Sequence, residues 1–360
     1  MRSVPVTAVA LAGALIMSGI LSISAPRHVT PQARLAAIAR AQVWAPTNVA
    51  SMDLKAGPQS PDAFAPNDTV TCRFADKKMT GASPKFTCAL GPEDEVKVKY
   101  GRGNGEVYAE VATTRLLWAL GFPTDRDYPV RVVCLGCPPD PARRRDDRRD
   151  QVIFDPATIE RKMSGRELET FPESGWAWPE LDLIDEASGG APRAHRDALK
   201  LLAVFLQHTD SKAAQQRLMC VSDQPEDANV PCLQPIMMVS DLGLTFGRAN
   251  VFNRNLVGSV NFKEWTDAGI WLDPARCVAD LPKSQTGTLE NPPIKEAGRK
   301  FLADLLVQLS DAQLRDLFGV ARFPERVEAS GQGKRGSKVE DWVATFKAKR
   351  DRIVNHSCPS

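Results

Sequence analysis

The segment LQHTDSKAAQQRL, residues 206–218, is the most informative stretch of the chain. It follows an apolar run, Ala198–Gln207, that has the pattern of a buried helix. An imidazole, a carboxylate and an amine stand at alternate positions within it, on His208, Asp210 and Lys212. Loops held by a rigid scaffold carry a large share of binding and catalytic residues. The segment is therefore a candidate functional loop at the end of a helix.

A second polar turn follows further along the chain. Residues 237–243 read MMVSDLG, and the apolar run Ile236–Val239 predicts a short buried strand that delivers Asp241 at its end. The insertion between the two motifs contains Cys220 and Cys232. We interpret it as a hairpin held by a disulfide.

Upstream, the chain predicts strands. Thr69–Phe74 and Lys85–Leu90 are short strand-like runs on either side of a turn. Residues 95–100, EVKVKY, alternate apolar and charged side chains, so Lys97 and Lys99 share one face of a third strand. Both lysines remain candidates for a functional role.

A helix is predicted directly after this third strand. A glycine-rich break separates the two, and residues 106–120 then carry an apolar stripe at helical spacing. Gly121 is expected to end the helix. The helix offers two carboxylates, Glu106 and Glu110.

Taken in order, these motifs resemble the atypical members of the protein-kinase-like superfamily. The similarity is to the secretory-pathway kinases, the type II phosphoinositide 4-kinases and the HipA-like kinases, and it spans about Thr69 to Phe318. The loop resembles the kinase pattern HxDxKxxN, with Gln215 where the family has asparagine, and DLG resembles the metal-binding DFG. The family fold implies a two-lobed α+β protein with a strand-rich N-lobe and a helical C-lobe.

The resemblance implies a role for each matched residue. Lys99 paired with Glu110 would bind the α/β-phosphates of ATP, with Lys97 as the alternative lysine. Mg²⁺ or Mn²⁺ would be held by Asp241 and Gln215. The catalytic residues would be Asp210, which takes the acceptor proton, and Lys212, which stabilises charge on the transferring group.

The turn between the first two strands is a further candidate. Its small residues, Gly81-Ala82-Ser83, would let backbone N–H groups approach a phosphate, which makes Gly81 and Ser83 candidate nucleotide contacts. An ordinary hairpin turn explains the same residues equally well.

Two functions of different class follow from the resemblance. The first is an exported ATP-dependent phosphotransferase that acts on a hydroxyl of a protein, a lipid headgroup or a small molecule. The alternative is a pseudokinase-like module that binds a nucleotide or a partner without catalysis. Asp210 favours the enzyme, because a binding module has no need of it. Gln215 favours the alternative, because its side chain is one methylene longer than that of asparagine.

The composition is that of an ordinary folded protein, with 43% apolar residues, 25% charged residues and a formal charge of +2. These values exclude a disordered chain, a collagen-like chain and a polytopic membrane protein. A charge near zero gives no bulk electrostatic reason to expect nucleic acid. The basic run at residues 142–149 is interrupted by aspartates, as in a solvated loop. We therefore expect no nucleic-acid partner.

The start of the chain predicts export to the periplasm or beyond. Arg2 is followed by an apolar stretch, residues 4–23, and small residues continue to Ala25, which is the pattern of a cleaved secretory signal. Such a stretch could also remain as a membrane anchor. The expected organisation is a signal or anchor over 1–25, a Pro- and Ala-rich linker over 26–65, an N-lobe over 66–155 and a C-lobe over 156–358.

All eight cysteines lie after this leader, and an even number in an exported chain predicts disulfides. Nearest-neighbour pairing is the simplest arrangement, although sequence alone does not fix it. It joins Cys72 to Cys88, Cys134 to Cys137, Cys220 to Cys232 and Cys277 to Cys358. The CxxC at 134–137 could also be a redox dithiol or half a zinc site, but no second CxxC or nearby histidine completes a metal set.

Overall fold

The computed structural model describes residues 28–170, 174–221, 230–247 and 258–359. The leader predicted at residues 1–25 lies outside these ranges. None of the described helices combines the length and the apolar character that crossing a bilayer requires. Two hydrophobic cores, one inside a barrel and one shared by the helices, divide the described chain into two lobes.

The segment expected to be a linker over 26–65 packs instead against the second lobe. It forms helix α1, Pro31–Arg40, and continues as an irregular chain. Ile38, Val43 and Leu54 are fully buried in the helical core. The linker was expected because the segment is rich in Pro, Ala and polar residues. That prediction is wrong for the described part of the segment.

The first lobe is a closed barrel. Its strands are β1 Thr69–Ala75, β2 Lys85–Ala89, β3 Glu95–Tyr100, β4 Arg126–Cys137 and β5 Arg149–Arg161. They are joined in the order β1-β2-β3-β5-β4, and the pair between β1 and β4 that closes the barrel is parallel. Strand β5 continues past residue 155, where the sequence had divided the lobes.

The alternation of β3 decides what faces the barrel interior. Val96, Val98 and Tyr100 lie in the barrel core, and Lys97 and Lys99 point to the outer face, as the sequence predicted. This arrangement places both lysines where the next helix can meet them.

Helix α2, Glu106–Leu120, joins the two lobes. It ends where predicted, at Gly121, whose φ of 85° is the left-handed conformation that favours glycine. Its apolar residues belong to the helical core, and the hydroxyls of Thr113 and Thr245 are 2.7 Å apart. The helix therefore carries its carboxylates from the barrel towards the second lobe.

The second lobe is mainly helical. Its strands are β6 Arg166–Glu167, β7 Gln216–Cys220, β8 Pro235–Val239, β9 Trp271–Asp273 and β10 Val278–Ala279, and its helices are α3 Arg193–Leu206, α4 Phe262–Asp267, α5 Glu296–Leu306, α6 Asp311–Val320, α7 Phe323–Ala329 and α8 Val339–Val354. Strands β6, β7 and β8 form a small sheet. The expected α+β class, with a strand-rich first lobe and a helical second lobe, is confirmed.

Four disulfides link the cysteines, and they confirm the nearest-neighbour pairing. They join Cys72 to Cys88, Cys134 to Cys137, Cys220 to Cys232 and Cys277 to Cys358. The first two lie within the barrel, and Cys88 and Cys134 approach to 3.5 Å between sulfurs.

Removing the disulfide between Cys277 and Cys358 is expected to destabilise the protein more than removing the one between Cys220 and Cys232. The two cross-links have sequence separations of 81 and 12 residues. In the chain-entropy model the stabilisation grows from about 3 kcal/mol for a loop of ~15 residues to about 4.7 kcal/mol for one of ~100. Guanidinium unfolding of the two paired Cys→Ser variants measures the difference, and a reversed order would contradict the expectation.

Candidate active site

Lys99 is the centre of a buried charge cluster. Only 1% of the residue is exposed. Its ammonium donates to Glu110, to Glu106 at 2.7 Å and to Asp241 at 3.1 Å. These partners come from helix α2 and from the turn after β8, so a single ammonium joins the barrel, the helix and the second lobe.

The other lysine of β3, Lys97, forms a separate ion pair with Glu160 of β5. The two residues are opposite each other in the register of the sheet. Opposite charges at such positions stabilise a sheet, so Lys97 has a structural partner of its own. Of the two lysines that the sequence left open, Lys99 is the one that reaches Glu110.

Glu106 and Glu110 reach Lys99 because they lie one helical turn apart on the same face of α2. The sequence preferred Glu110 and left Glu106 without a role. Glu106 also accepts a hydrogen bond from the Ser83 hydroxyl at 2.8 Å. Gly243 makes room for it, since a Cβ atom there would lie 2.5 Å from Cγ of Glu106.

Asp241 enters the cluster from a tight turn after β8. Its φ of 47° is in the left-handed region, which aspartate tolerates better than most residues. The residues on either side hold the turn in place. The Ser240 N–H donates to the Gln215 carbonyl at 2.9 Å, and Leu242 is buried in the helical core. The turn is thus fixed before any ligand binds.

The loop that carries Asp210 lies beside this turn. The Asp210 carboxylate accepts a hydrogen bond from the Gln215 amide at 2.9 Å, and the Lys212 ammonium lies 3.5 Å away. The N–H of Thr209 donates to the Leu244 carbonyl at 3.3 Å. Because β7 begins opposite the end of β8, the Asp210 loop and the Asp241 turn lie at the same end of that strand pair.

His208, the first residue of the loop motif, is buried rather than presented to the cleft. Burial lowers the pKa of its imidazole to about 4, so the ring is neutral at pH 7. Its ring centroid lies 6.3 Å from that of Trp178. These contacts give His208 a packing role behind Asp210.

The charges of the cluster shift one another's ionisation. Burial opposes the charge on Lys99, but Asp241, Glu106 and Glu110 outweigh it and raise the pKa of Lys99 well above its usual value. Burial raises the pKa of Glu110, with Lys99 opposing. For Asp241 burial is outweighed by Lys99, and the pKa is lowered. Lys99 and Asp241 therefore stay charged at neutral pH, and Glu110 is the carboxyl that gains a proton most readily.

The glycine turn between β1 and β2 covers a cavity of about 260 Å³ next to the cluster. Gly81 and Ser83 both line it, together with Glu106. The φ of Gly81 is 91°, a conformation that a residue with a side chain adopts only with strain. The structure thus places Ser83 against the charge cluster and Gly81 in the roof of the cavity.

Asp125 joins the two lobes at the back of the site, and no sequence pattern singled it out. Its carboxylate accepts hydrogen bonds from Arg217, from the Met163 N–H at 2.8 Å and from the Ser240 hydroxyl at 3.0 Å. These donors come from β7, from the link after β5 and from the residue before Asp241. Asp125 therefore fixes the position of the Asp241 turn relative to the barrel.

Three carboxylates of the cluster could hold a metal ion. Glu106, Glu110 and Asp241 each offer an oxygen atom within 4.8 Å of the others. Gln215, the other metal ligand expected from the sequence, directs its amide nitrogen at Asp210.

The alternative site at the CxxC offers no free thiol. Cys134 and Cys137 are joined in a disulfide, and both are fully buried. Redox exchange needs an accessible sulfur, and zinc needs thiolates. The structure therefore favours a structural disulfide at these positions.

Comparisons with known proteins give little further guidance. No family model matches the chain, and no curated protein does. Among solved structures, the chain is similar to a proinflammatory kinase, CtkA, from Helicobacter pylori, at 10% sequence identity and a TM-score of 0.39. The match covers 81% of this chain and 96% of that one.

Proposed function

We propose that the protein is a kinase-like phosphotransferase that binds ATP with a divalent cation and transfers the terminal phosphoryl group to a hydroxyl. The observation that carries the proposal is the buried ammonium of Lys99, shared between Glu110 of helix α2 and Asp241 of the turn after β8. Asp210 lies at the same end of the strand pair that delivers Asp241. A strand lysine, a helix glutamate and two loop aspartates are the parts that such chemistry requires.

The charge cluster suits a phosphate-bound cation. Three carboxylates surround one lysine, which leaves an excess of negative charge in a buried place. Within the described chain, Oε2 of Glu110 is buried without a hydrogen-bond partner. Carboxylate oxygens are the ligands that Mg²⁺ and Mn²⁺ prefer. Asp241, with Glu106 or Glu110, would hold the cation, which would supply neutralisation of phosphate charge.

The loop that carries Asp210 supplies the remaining groups for the transfer step. The acceptor oxygen forms the new bond to phosphorus as the bond to the ADP oxygen breaks, and the Asp210 carboxylate takes the acceptor proton. The Gln215 amide holds that carboxylate in place. Lys212 supplies a positive charge close to it for the transferring group.

Gln215 also supports the second candidate, a module that binds a nucleotide without catalysis. The glutamine amide occupies one oxygen of Asp210, the carboxylate that a catalytic base needs free for the acceptor. Under that function the charge cluster would bind nucleotide, and Asp210 would have only a structural contact.

The purified protein is expected to melt at a higher temperature with ATP and Mg²⁺ or Mn²⁺ than with either alone. Ligand bound to the folded state at 100 times its Kd stabilises by about 2.7 kcal/mol. Radiolabelled γ-phosphate should then appear on the protein or on a component of a lysate. Absence of any shift with either cation would overturn both nucleotide functions, and a shift without transfer would favour the binding module.

We further propose that the protein works outside the cytoplasm, in the periplasm or as a secreted protein, either cleaved or anchored by residues 4–23. Four disulfides are compatible with an oxidising compartment. Cell fractionation with a thiol-reactive label shows the compartment, since a cytoplasmic pool would carry free thiols.

A further inference from the structure

Lys85 is a half-buried cation on which the carboxylates of Asp241 and Glu106 act without a direct ion pair in the described structure. It begins β2 and lies directly opposite Lys99 of β3 in the register of the sheet. Like charges at such positions destabilise a sheet. Within the described chain Lys85 forms no hydrogen bond or ion pair, while its neighbour Lys97 pairs with Glu160. The fold therefore places two lysines side by side, and the carboxylates of Asp241 and Glu106 offset part of their repulsion.

The ammonium of Lys85 lies in the roof of the cavity beneath the glycine turn. Its Nζ atom would be 2.7 Å from a Cβ atom at Gly81. The cavity, of about 260 Å³, is also lined by Ser83, Asn104 and Arg143. That volume holds about eight or nine waters at ~30 Å³ each, whereas pockets for drug-sized molecules start near 300 Å³. A phosphate group fits in that volume.

The surroundings of the cavity favour an anion. Arg143 and Arg145 line it beside Lys85, and the carboxylate of Glu106 is already bound by Lys99 and Ser83. Of the two arginines, Arg145 pairs with an exposed aspartate, and Arg143 has no ion pair among the described residues.

The loop that carries these arginines is fixed in position. The Tyr100 hydroxyl donates to Asp140 at 2.9 Å and accepts from the Ala142 N–H at 3.1 Å. Tyr100 belongs to the barrel core, so the loop is attached to the rigid part of the lobe. The backbone that carries Arg143 is therefore held beside the cavity.

We propose that Lys85 binds a phosphate group in this cavity, next to the Lys99 cluster. Glu106 lines the cavity and also contacts Lys99, so a phosphate held there lies beside the cluster that we assign to phosphoryl transfer. The assignment of the phosphate to a substrate rests on the proposed function, but anion binding by Lys85 does not. Burial, together with the charge of Lys99, lowers the pKa of Lys85, and the charges of Asp241 and Glu106 oppose this shift only in part.

Binding of ATP, ADP, tripolyphosphate and adenosine to the full chain, each with Mn²⁺, tests the proposal by titration calorimetry. Lys85→Met should weaken the three phosphate ligands roughly 10- to 100-fold, as expected for a lost hydrogen bond to a charged group, and leave adenosine unchanged. Lys85→Arg should retain most of the affinity. Lys78→Met, an exposed lysine of the same turn, is the matched control and should change nothing.

The unliganded melting temperature separates a binding role from a structural one. Lys85→Met removes the repulsion from Lys99 together with the attraction to Asp241 and Glu106, so its melting temperature should stay close to that of the native protein. A lower melting temperature with unchanged ligand affinity would overturn the proposal.

If transfer is observed, steady-state kinetics show which substrate carries the phosphate that Lys85 binds. A rise in KM for ATP alone places the nucleotide phosphate at Lys85, and a rise in KM for a phosphorylated acceptor alone places the acceptor there. Lys85-dependent tripolyphosphate binding without ATP binding would uphold the anion site and reject the proposed function. Phosphoryl transfer that Lys85→Met leaves unchanged, together with unchanged affinities for the phosphate ligands, would reject the anion site and uphold the proposed function.

Discussion

Replacing Asp210 with asparagine is expected to remove phosphoryl transfer and to leave nucleotide binding intact. Asparagine keeps the size of the side chain and its contact with the Gln215 amide, but it cannot take a proton. A positioned general base contributes about 10²- to 10⁴-fold to a rate. We expect kcat for γ-phosphate transfer to fall by that factor and the Kd for ATP to stay the same.

The fold should survive this substitution because Asp210 is not a buried charge. Its side chain is 18% exposed, and the ammonium of Lys212 is 3.5 Å away and itself 41% exposed. Ion pairs that keep contact with solvent contribute about 0–1 kcal/mol. Circular dichroism melting of Asp210→Asn should therefore match that of the native protein.

Asp304→Asn is the control for the loss of one carboxylate. Asp304 is exposed and pairs with Lys300 on the surface of α5, so both melting and kcat should be unchanged. If Asp210→Asn retained full activity, Asp210 would not be the base. If instead it unfolded the protein, its charge would have a structural role that the contacts do not show.

Local pattern was sufficient to predict the elements that carry the site. The predicted bounds of β3 and α2 agree with the structure, because strict alternation and a terminal glycine each act within a few residues. The turn at Asp241 and the loop at Asp210 were also found from sequence, since each follows an apolar run that forms its own element.

Contacts between distant segments could not be predicted in the same way. Lys97 and Lys99 share one face of β3. Because Glu160 of β5 lies opposite Lys97 and pairs with it, Lys99 is the lysine that pairs with Glu110 of α2. The roles of Asp125 and Lys85 likewise depend on which strands are adjacent. Neither residue belongs to a motif, so no sequence signal marks them.

Replacing Lys99 with methionine is expected to destabilise the protein strongly, and more at pH 8 than at pH 5. The substitution fills the space of the side chain but leaves Glu106, Glu110 and Asp241 together without their cation. Removing one partner of a buried ion pair costs about 3–5 kcal/mol. Urea or guanidinium unfolding at both pH values measures the loss.

The pH dependence follows from the direction of the pKa shifts. In the native protein Lys99 holds the pKa of Asp241 below its usual value. The charge of Asp241 therefore contributes to stability above the unfolded pKa, and this contribution is lost as pH falls. In the variant the three carboxylates repel one another in a buried place, and their folded pKa values rise above the unfolded ones. The variant is therefore more stable below the unfolded pKa of these carboxyls and loses stability as pH rises. The free energies of unfolding of the two proteins converge at low pH.

A second variant separates charge from packing. Combining Lys99→Met with Glu110→Gln removes the most deeply buried carboxylate together with the lysine, and it should recover part of the stability at pH 8 because fewer charges remain unpaired. Lys300→Met, which removes an exposed lysine 63% accessible to solvent, should cost little at either pH. An equal loss at pH 5 and pH 8 for Lys99→Met would show that the lysine acts through packing. In that case the charges of the cluster would not contribute to holding the two lobes together.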